Sequence, residues 1–135
     1  MLKYLTFSVL LSLFGISDSK IYVKNYHQNK NLKEEGWILN AKKSDYWFYY
    51  FGNGNKKEEG HYKNNQKTDW WIYYDEKQLI TEKCQFKNDK RDGISVIFAN
   101  GKIIKAVRYL NGKKNKTWKN YEEFRRDNAF SYLIK

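Results

Sequence analysis

The chain has 135 residues, 41% hydrophobic and 19% aromatic, with 26 Lys and Arg against 15 Asp and Glu for a net charge of +11. With no proline and one cysteine, collagen-like, proline-rich and disulfide-scaffold chains are excluded, and the aromatic density argues against wholesale disorder. This length suits a single domain, and so basic a surface favours anionic partners: phospholipid headgroups, nucleic acid or acidic polysaccharide.

The first segment reads as a leader. Lys3, the apolar stretch 4–16 and the small residues Gly15, Ser17 and Ser19 follow the three-part layout of a secretory signal peptide, predicted over 1–19. The stretch is shorter than the ~20 residues that span a bilayer. No cysteine stands near its end to carry a lipid.

From there the chain repeats itself. Lys33-Glu34-Glu35-Gly36 recurs unchanged as Lys57-Glu58-Glu59-Gly60, and self-similarity at a fixed period marks a repeat architecture. Steps of 24, 24 and 23 residues align Ile38, Tyr62, Phe86 and Tyr109, and also Asn40, Asn64, Asn88 and Asn111. The same steps align Trp47, Trp71, Ser95 and Trp118, then Tyr50, Tyr74, Phe98 and Tyr121. Residues 26–36 line up with 50–60, so the array opens with half a unit.

Each unit reads as a β-hairpin. The runs 47–51, 70–74 and 94–98 are aromatic or β-branched, as strands prefer. Turn formers separate them: Asn40-Ala41, Asn64-Asn65, Asn88-Asp89 and Asn111-Gly112 at one end, Asn53-Gly54 and Asn100-Gly101 at the other. The missing prolines fit continuous ladders, which leave few harmless places for a lost donor. The predicted fold over 20–119 is therefore all-β, an elongated antiparallel sheet of hairpin repeats. After it, Asn120 with Glu123 forms a capping-box pattern, and Tyr121, Phe124, Phe130 and Leu133 supply one apolar side of a helix over 121–133. This helix, within a terminal segment 120–135, is expected to cap the array, since repeat arrays need covered ends.

The pattern of tryptophan or tyrosine, an Asn-Gly turn and a further aromatic every 23 or 24 residues resembles the bacterial variant of the MORN repeat (membrane occupation and recognition nexus). The resemblance covers about residues 26–121. In that family a glycine usually stands two positions before the aromatic that opens the second strand; here Asp45, Asp69, Gly93 and Lys116 stand there. Aspartate also visits unusual turn conformations. The resemblance implies a hairpin array that binds lipids or proteins, with no known catalytic mechanism. Many members are labelled antitoxin-like, which implies a cytoplasmic toxin and conflicts with a leader peptide.

Candidate chemistry is sparse. Glu34-Glu35 and Glu58-Glu59 fall on opposite faces of a strand, and equivalent acids of successive units stand near 10 Å apart, at or beyond the edge for a glycosidase pair; they read as a solvated charged face. His27 and His61 lack zinc-site spacing, and Gly52-Asn53-Gly54 is a turn rather than a phosphate loop. Cys84 reads as a small buried residue. No enzyme activity and no cofactor are expected. What stands out is charge: Lys42, Lys43, Lys67, Lys90, Arg91, Lys113 and Lys114 follow the asparagine turns and are expected to form a basic ridge along one edge. Lys56, Lys57, Lys77, Lys102 and Lys105 decorate the other end, and Trp70, Tyr73 and Tyr49 are candidate interfacial aromatics. Lysines at strand ends also protect sheets from aggregation. The expectation is a secreted or cell-envelope scaffold, non-enzymatic, with a protein partner or an anionic membrane or polysaccharide surface as ligand. Secretion makes nucleic acid a poor partner. The rival reading is an antitoxin-like immunity partner that neutralises a toxin through its extended sheet.

Overall fold

The computed structural model describes residues 19–128. The signal peptide predicted over 1–19 falls, apart from Ser19, outside the described residues, as do positions 129–133 of the predicted helix.

Asparagine turns set the architecture. Asn40-Ala41, Asn64-Asn65, Asn88-Asp89, Asn100-Gly101 and Asn111-Gly112 all have positive φ at both residues, the type I′ geometry whose twist matches paired strands. They join β2 (Leu32–Leu39) to β3 (Lys42–Tyr50), β4 (Lys56–Lys63) to β5 (Gln66–Tyr74), β6 (Ile80–Lys87) to β7 (Lys90–Ala99), β7 to β8 (Lys102–Leu110), and β8 to β9 (Lys113–Trp118). Of these turns, Asn100-Gly101 lies at the opposite end of the sheet from the rest, together with the five-residue loops 27–31, 51–55 and 75–79, where Lys30, Gly54 and Gln78 have positive φ. With β1 (Lys20–Tyr26) the strands form one nine-stranded antiparallel sheet in sequence order. This is the predicted all-β hairpin array.

Successive units also lock through their turns. The Asn65 backbone N–H donates to Lys43 O at 3.0 Å while its Oδ1 accepts from Lys43 N at 2.6 Å; Asp89 repeats both bonds on Lys67 at 3.1 and 2.6 Å. At the other end the Asn29 and Asn31 side chains each donate to Gly52 O at 2.7 Å, and Asn55 donates to Glu76 O at 2.8 Å.

A single sheet has two faces, and the core changes face along it. Near the start, Trp47 and Trp71 are buried on one face, each opposite a glycine. A Cβ on Gly36 would come within 2.3 Å of the Trp47 ring, and one on Gly60 within 2.4 Å of Trp71. The repeated glycine is therefore the floor on which the cross-strand indole lies. In the third unit Ser95 replaces tryptophan, and Cys84 replaces the glycine opposite it; both are fully buried.

Toward the end the core lies on the other face: Ile94, Val96, Ala106, Trp118 and Phe124, backed by Trp70, Phe98 and Ile103. The repeat columns place Trp118 with Trp47 and Trp71, but the structure sets it opposite. In β3, Asp45 and Tyr46 intervene between the pairs Trp37↔Ser44 and Gly36↔Trp47; in β9, only Asn115 intervenes between Tyr109↔Lys114 and Arg108↔Lys116. Asp45 and Asp69 accept φ of 57° and 58°, and Gly93 109°. A lysine carries a Cβ penalty of about 1–2 kcal/mol there without aspartate's local hydrogen bonding. Lys116 stays out of the left-handed region, the irregularity shortens by a residue, and side-chain alternation beyond it is reversed.

Helix α1 (Tyr121–Asp127) covers this second face. Asn120 caps it by accepting from Glu123 N at 2.9 Å, and Glu123 accepts in turn from Lys119 N at 2.8 Å. Phe124 meets Trp118 edge-on with ring centroids 5.0 Å apart. The α1 helix stops at Asp127, short of the expected 133, where Asn128 turns its own side chain onto Phe124 O at 2.8 Å.

Candidate functional site

The expected ridge of seven cations divides into two groups. Lys42, Lys90 and Lys113 stand exposed beside their turns, and Lys114 is exposed just inside. Lys43, Lys67 and Arg91 do not join them: they lie back along the Trp47 face, half-buried and ion-paired. Each follows its edge neighbour by one residue, and strand alternation sends it onto the face.

There they build a recurring device. Lys43 Nζ sits 3.9 Å from the Trp47 ring centroid, 2.9 Å from Glu34 Oε2 and 2.8 Å from the Tyr49 hydroxyl. Lys67 Nζ sits 3.8 Å from the Trp71 ring, 3.5 Å from Glu58 and 3.4 Å from the Tyr73 hydroxyl. Arg91 binds both oxygens of Glu82, Nη2 at 2.9 Å from Oε2, and packs between Phe86 and Tyr109. Partly desolvated cation–π contacts and carboxylate pairs favour this placement. Burial pushes the Lys67 ammonium below its ordinary value despite Glu58. For Glu34 and Glu82 burial is the largest influence and raises the pKa, yet the hydrogen bonds from Lys43 and Asn25, and from Arg91 and Ser95, hold both carboxyls below the ordinary value.

The second glutamate of each pair works on the opposite face. Tyr50 donates to Glu35 Oε1 at 2.7 Å, and Tyr74 donates to Glu59 Oε1. Lys24 and Lys56 complete the two sites at 3.3 and 2.9 Å. The expectation of a solvated acidic face is corrected here. Glu34 and Glu58 have a tyrosine and Glu35 has Lys24 in register on an adjacent strand and are partly buried, whereas Glu59 is buried between Phe48 and Ile72, with Tyr74 and Lys56 reaching its carboxylate from outside that register. The tyrosines respond: burial first, then Tyr62, raises Tyr49, and burial first, then Glu59, raises Tyr74, while Tyr46 is pushed up to about 12.

One cluster has the composition of a catalytic centre: Ser95, Glu82, Arg91 and Cys84. Its geometry is that of a closed ion pair. Ser95 is fully buried and donates to Glu82, which Arg91 keeps ionised and occupied. Cys84 is buried with its thiol pushed up to about 11, chiefly by desolvation. His27 contacts Tyr50 O at 3.0 Å and His61 stacks edge-on against Tyr46. Among the described residues no group of three or more His, Cys, Asp or Glu is placed to hold a metal.

The exposed edge includes two lysines that sequence reasoning passed over. Lys63 and Lys87 precede their turns as Lys42 and Lys90 follow theirs, and both are exposed. Lys87 pairs in register with Lys90. The signal was available, since the residues on either side of a two-residue turn are cross-strand partners. A shallow depression of about 160 Å³ lies beside them, lined by Lys63, Asn64, Gln66, Lys67, Thr68 and Asn88. Of the candidate aromatics, Tyr49, Tyr73 and Trp70 are partly buried; among the described residues the large exposed aromatic rings are instead Tyr22, Tyr26 and Trp37 at the first edge, and Tyr121.

No protein-family model matches the chain, and no curated protein does. Among solved structures it is similar to a chain of the glycosylation-associated protein (Gap123) complex from Streptococcus agalactiae, at 13% identity and a TM-score of 0.44, over 84% of this chain and 24% of that one.

Proposed function

We propose that this protein is a secreted, non-enzymatic MORN-like repeat module that docks through the turn edge of its sheet onto an anionic surface or an acidic face of a protein. The observation that carries the reading is the Lys87↔Lys90 pair: two exposed cations placed directly opposite each other, an arrangement that costs stability unless an anion lies over it. Lys63 and Lys113 extend the same charge on the neighbouring hairpins. Among the described residues these four, with Lys42, make no ion pair, whereas Lys43, Lys67 and Arg91 are neutralised within the fold. The non-enzymatic part is supported by how the acids are used, since Glu34, Glu58 and Glu82 are each held by a cation.

The test is sedimentation with vesicles of phosphatidylglycerol against phosphatidylcholine across a salt series. Each lysine near an anionic membrane contributes about 1 kcal/mol, so reversing Lys63, Lys87 and Lys90 to Glu should weaken binding by about a hundredfold. The same reversal of Lys33, Lys57 and Lys77, at the far end, should leave most of it. Salt-independent binding, or equal loss in both variants, would refute docking through this edge.

A further inference from the structure

The repeat identifies a second place where charge is left unmatched. The cation column Lys43, Lys67, Arg91 continues into the last unit as Lys114, but the acid column Glu34, Glu58, Glu82 ends there, with Lys105 in its register. Trp118, turned to the other face, provides no ring for Lys114 to lie on. Lys105 and Lys114 are both exposed, as are Lys113 and Lys119 beside them.

This cationic cluster borders a free edge. The sheet ends at β9, whose outer side pairs with no strand among the described residues, and every β9 residue but Trp118 is exposed. Elsewhere in the array β3 is followed by the Glu58-Glu59 strand and β5 by the Glu82 strand, while β7 is followed by β8, which carries no acid. The surface at β9 is thus complementary to an extended segment with carboxylates on alternate residues, which the ladder and the lysines would recognise together.

We infer that the outer edge of β9 binds an extended acidic segment of a protein partner by strand addition, its carboxylates meeting Lys114 and Lys105 on the Trp47 face. This rests on the reading of the chain as a binding module, but uses a different surface from the turn edge. A fluorescent peptide alternating Glu and Val tests it by anisotropy with the full chain. Lys105→Glu, which restores the internal Glu–Lys arrangement of the earlier units, and Lys114→Glu should each weaken binding by about tenfold, while Lys102→Glu, the same charge change at the far end of β8, should alter it less than about twofold. A peptide N-methylated on alternate residues should also bind about tenfold more weakly, because it cannot continue the ladder. Reversing Lys63, Lys87 and Lys90 should leave peptide binding in place, which separates failure here from failure of the turn-edge reading. Wild-type affinity in the Lys105 and Lys114 variants, no loss on N-methylation, or binding of acidic vesicles at β9 without binding of the peptide would each overturn the inference.

Discussion

The first and last units of the array solve the same problem, covering a sheet that is only one layer thick, in opposite ways. Around β2 to β5 the cover is made within each hairpin: an indole lies over a glycine, and a lysine held by glutamate lies over the indole. Around β7 to β9 the cover is brought from outside the sheet, with α1 placing Phe124 on Trp118 across the other face. The hydrogen bonds of the indoles follow the same division. Trp47 and Trp71 donate to Trp37 O and His61 O, carbonyls exposed where the ladder is interrupted, at 3.0 and 3.1 Å, while Trp118 donates to Asp127 of the helix at 2.9 Å. A repeat thus keeps its backbone plan while its packing partner changes, provided small and large residues change together.

The sharpest way to break the contrast is to disturb the glycine floor. Trp71→Ala should destabilise by about 3–5 kcal/mol in urea unfolding. Gly60→Ala should cost about 3 kcal/mol, because a methyl group and the indole cannot occupy one place. Combining Gly60→Ala with Trp71→Ser imitates the Cys84–Ser95 pair, so the double variant should be more stable than the sum of the single effects. Strict additivity would show that the ring does not lie on the glycine.

Next come the cations that cover the rings. Arg91→Met strands Glu82 and should cost about 2 kcal/mol, and Lys67→Met somewhat less. The same pairs set the response to acid. Glu34, Glu35 and Glu82 have folded pKa values below their unfolded ones, so their stabilisation is present above the ordinary carboxylate value near ~4.3 and is lost as pH falls through the folded values. The urea midpoint should therefore fall below about pH 4, and Glu82→Gln should flatten that fall. At the alkaline end the sign reverses. Tyr46, Tyr49, Tyr73 and Tyr74 are raised by burial, and their contribution is complete below about pH 10 and lost above it. Absorbance titration should show these phenols ionising later than a freely exposed tyrosine; one sharp wave at the ordinary value would contradict their burial.

The smallest effect tests the backbone. Asp69→Gly relieves a side chain held at φ 58° and should stabilise by up to about 1 kcal/mol. Lys116→Gly should bring no such gain, because Lys116 is outside that region and loses its 2.6 Å contact with Asp127.

Much of this molecule was legible in its residues. The repeated Lys-Glu-Glu-Gly, the asparagine column and the absent prolines led to hairpins, strand order and turn type, because turns and ladders are local and each unit restates them. Individual cations were not legible in the same way. Lys42 and Lys43 look alike in sequence, but alternation leaves one at the edge and sends the other over an indole. Glu59 reads as surface charge in sequence, but its register between Phe48 and Ile72, with Tyr74 and Lys56 on its carboxylate, buries it.

Sequence alone therefore determined the architecture, a ladder of hairpins with a capped helix at its end, since those signals lie within a few residues of one another. Tertiary structure alone decided which charges remain available to a partner, and on which face Trp118 lies. Both depend on pairing across strands. There, a single residue fewer beside Lys116, whose Cβ resists the left-handed conformation that aspartate and glycine accept, reverses every side chain that follows.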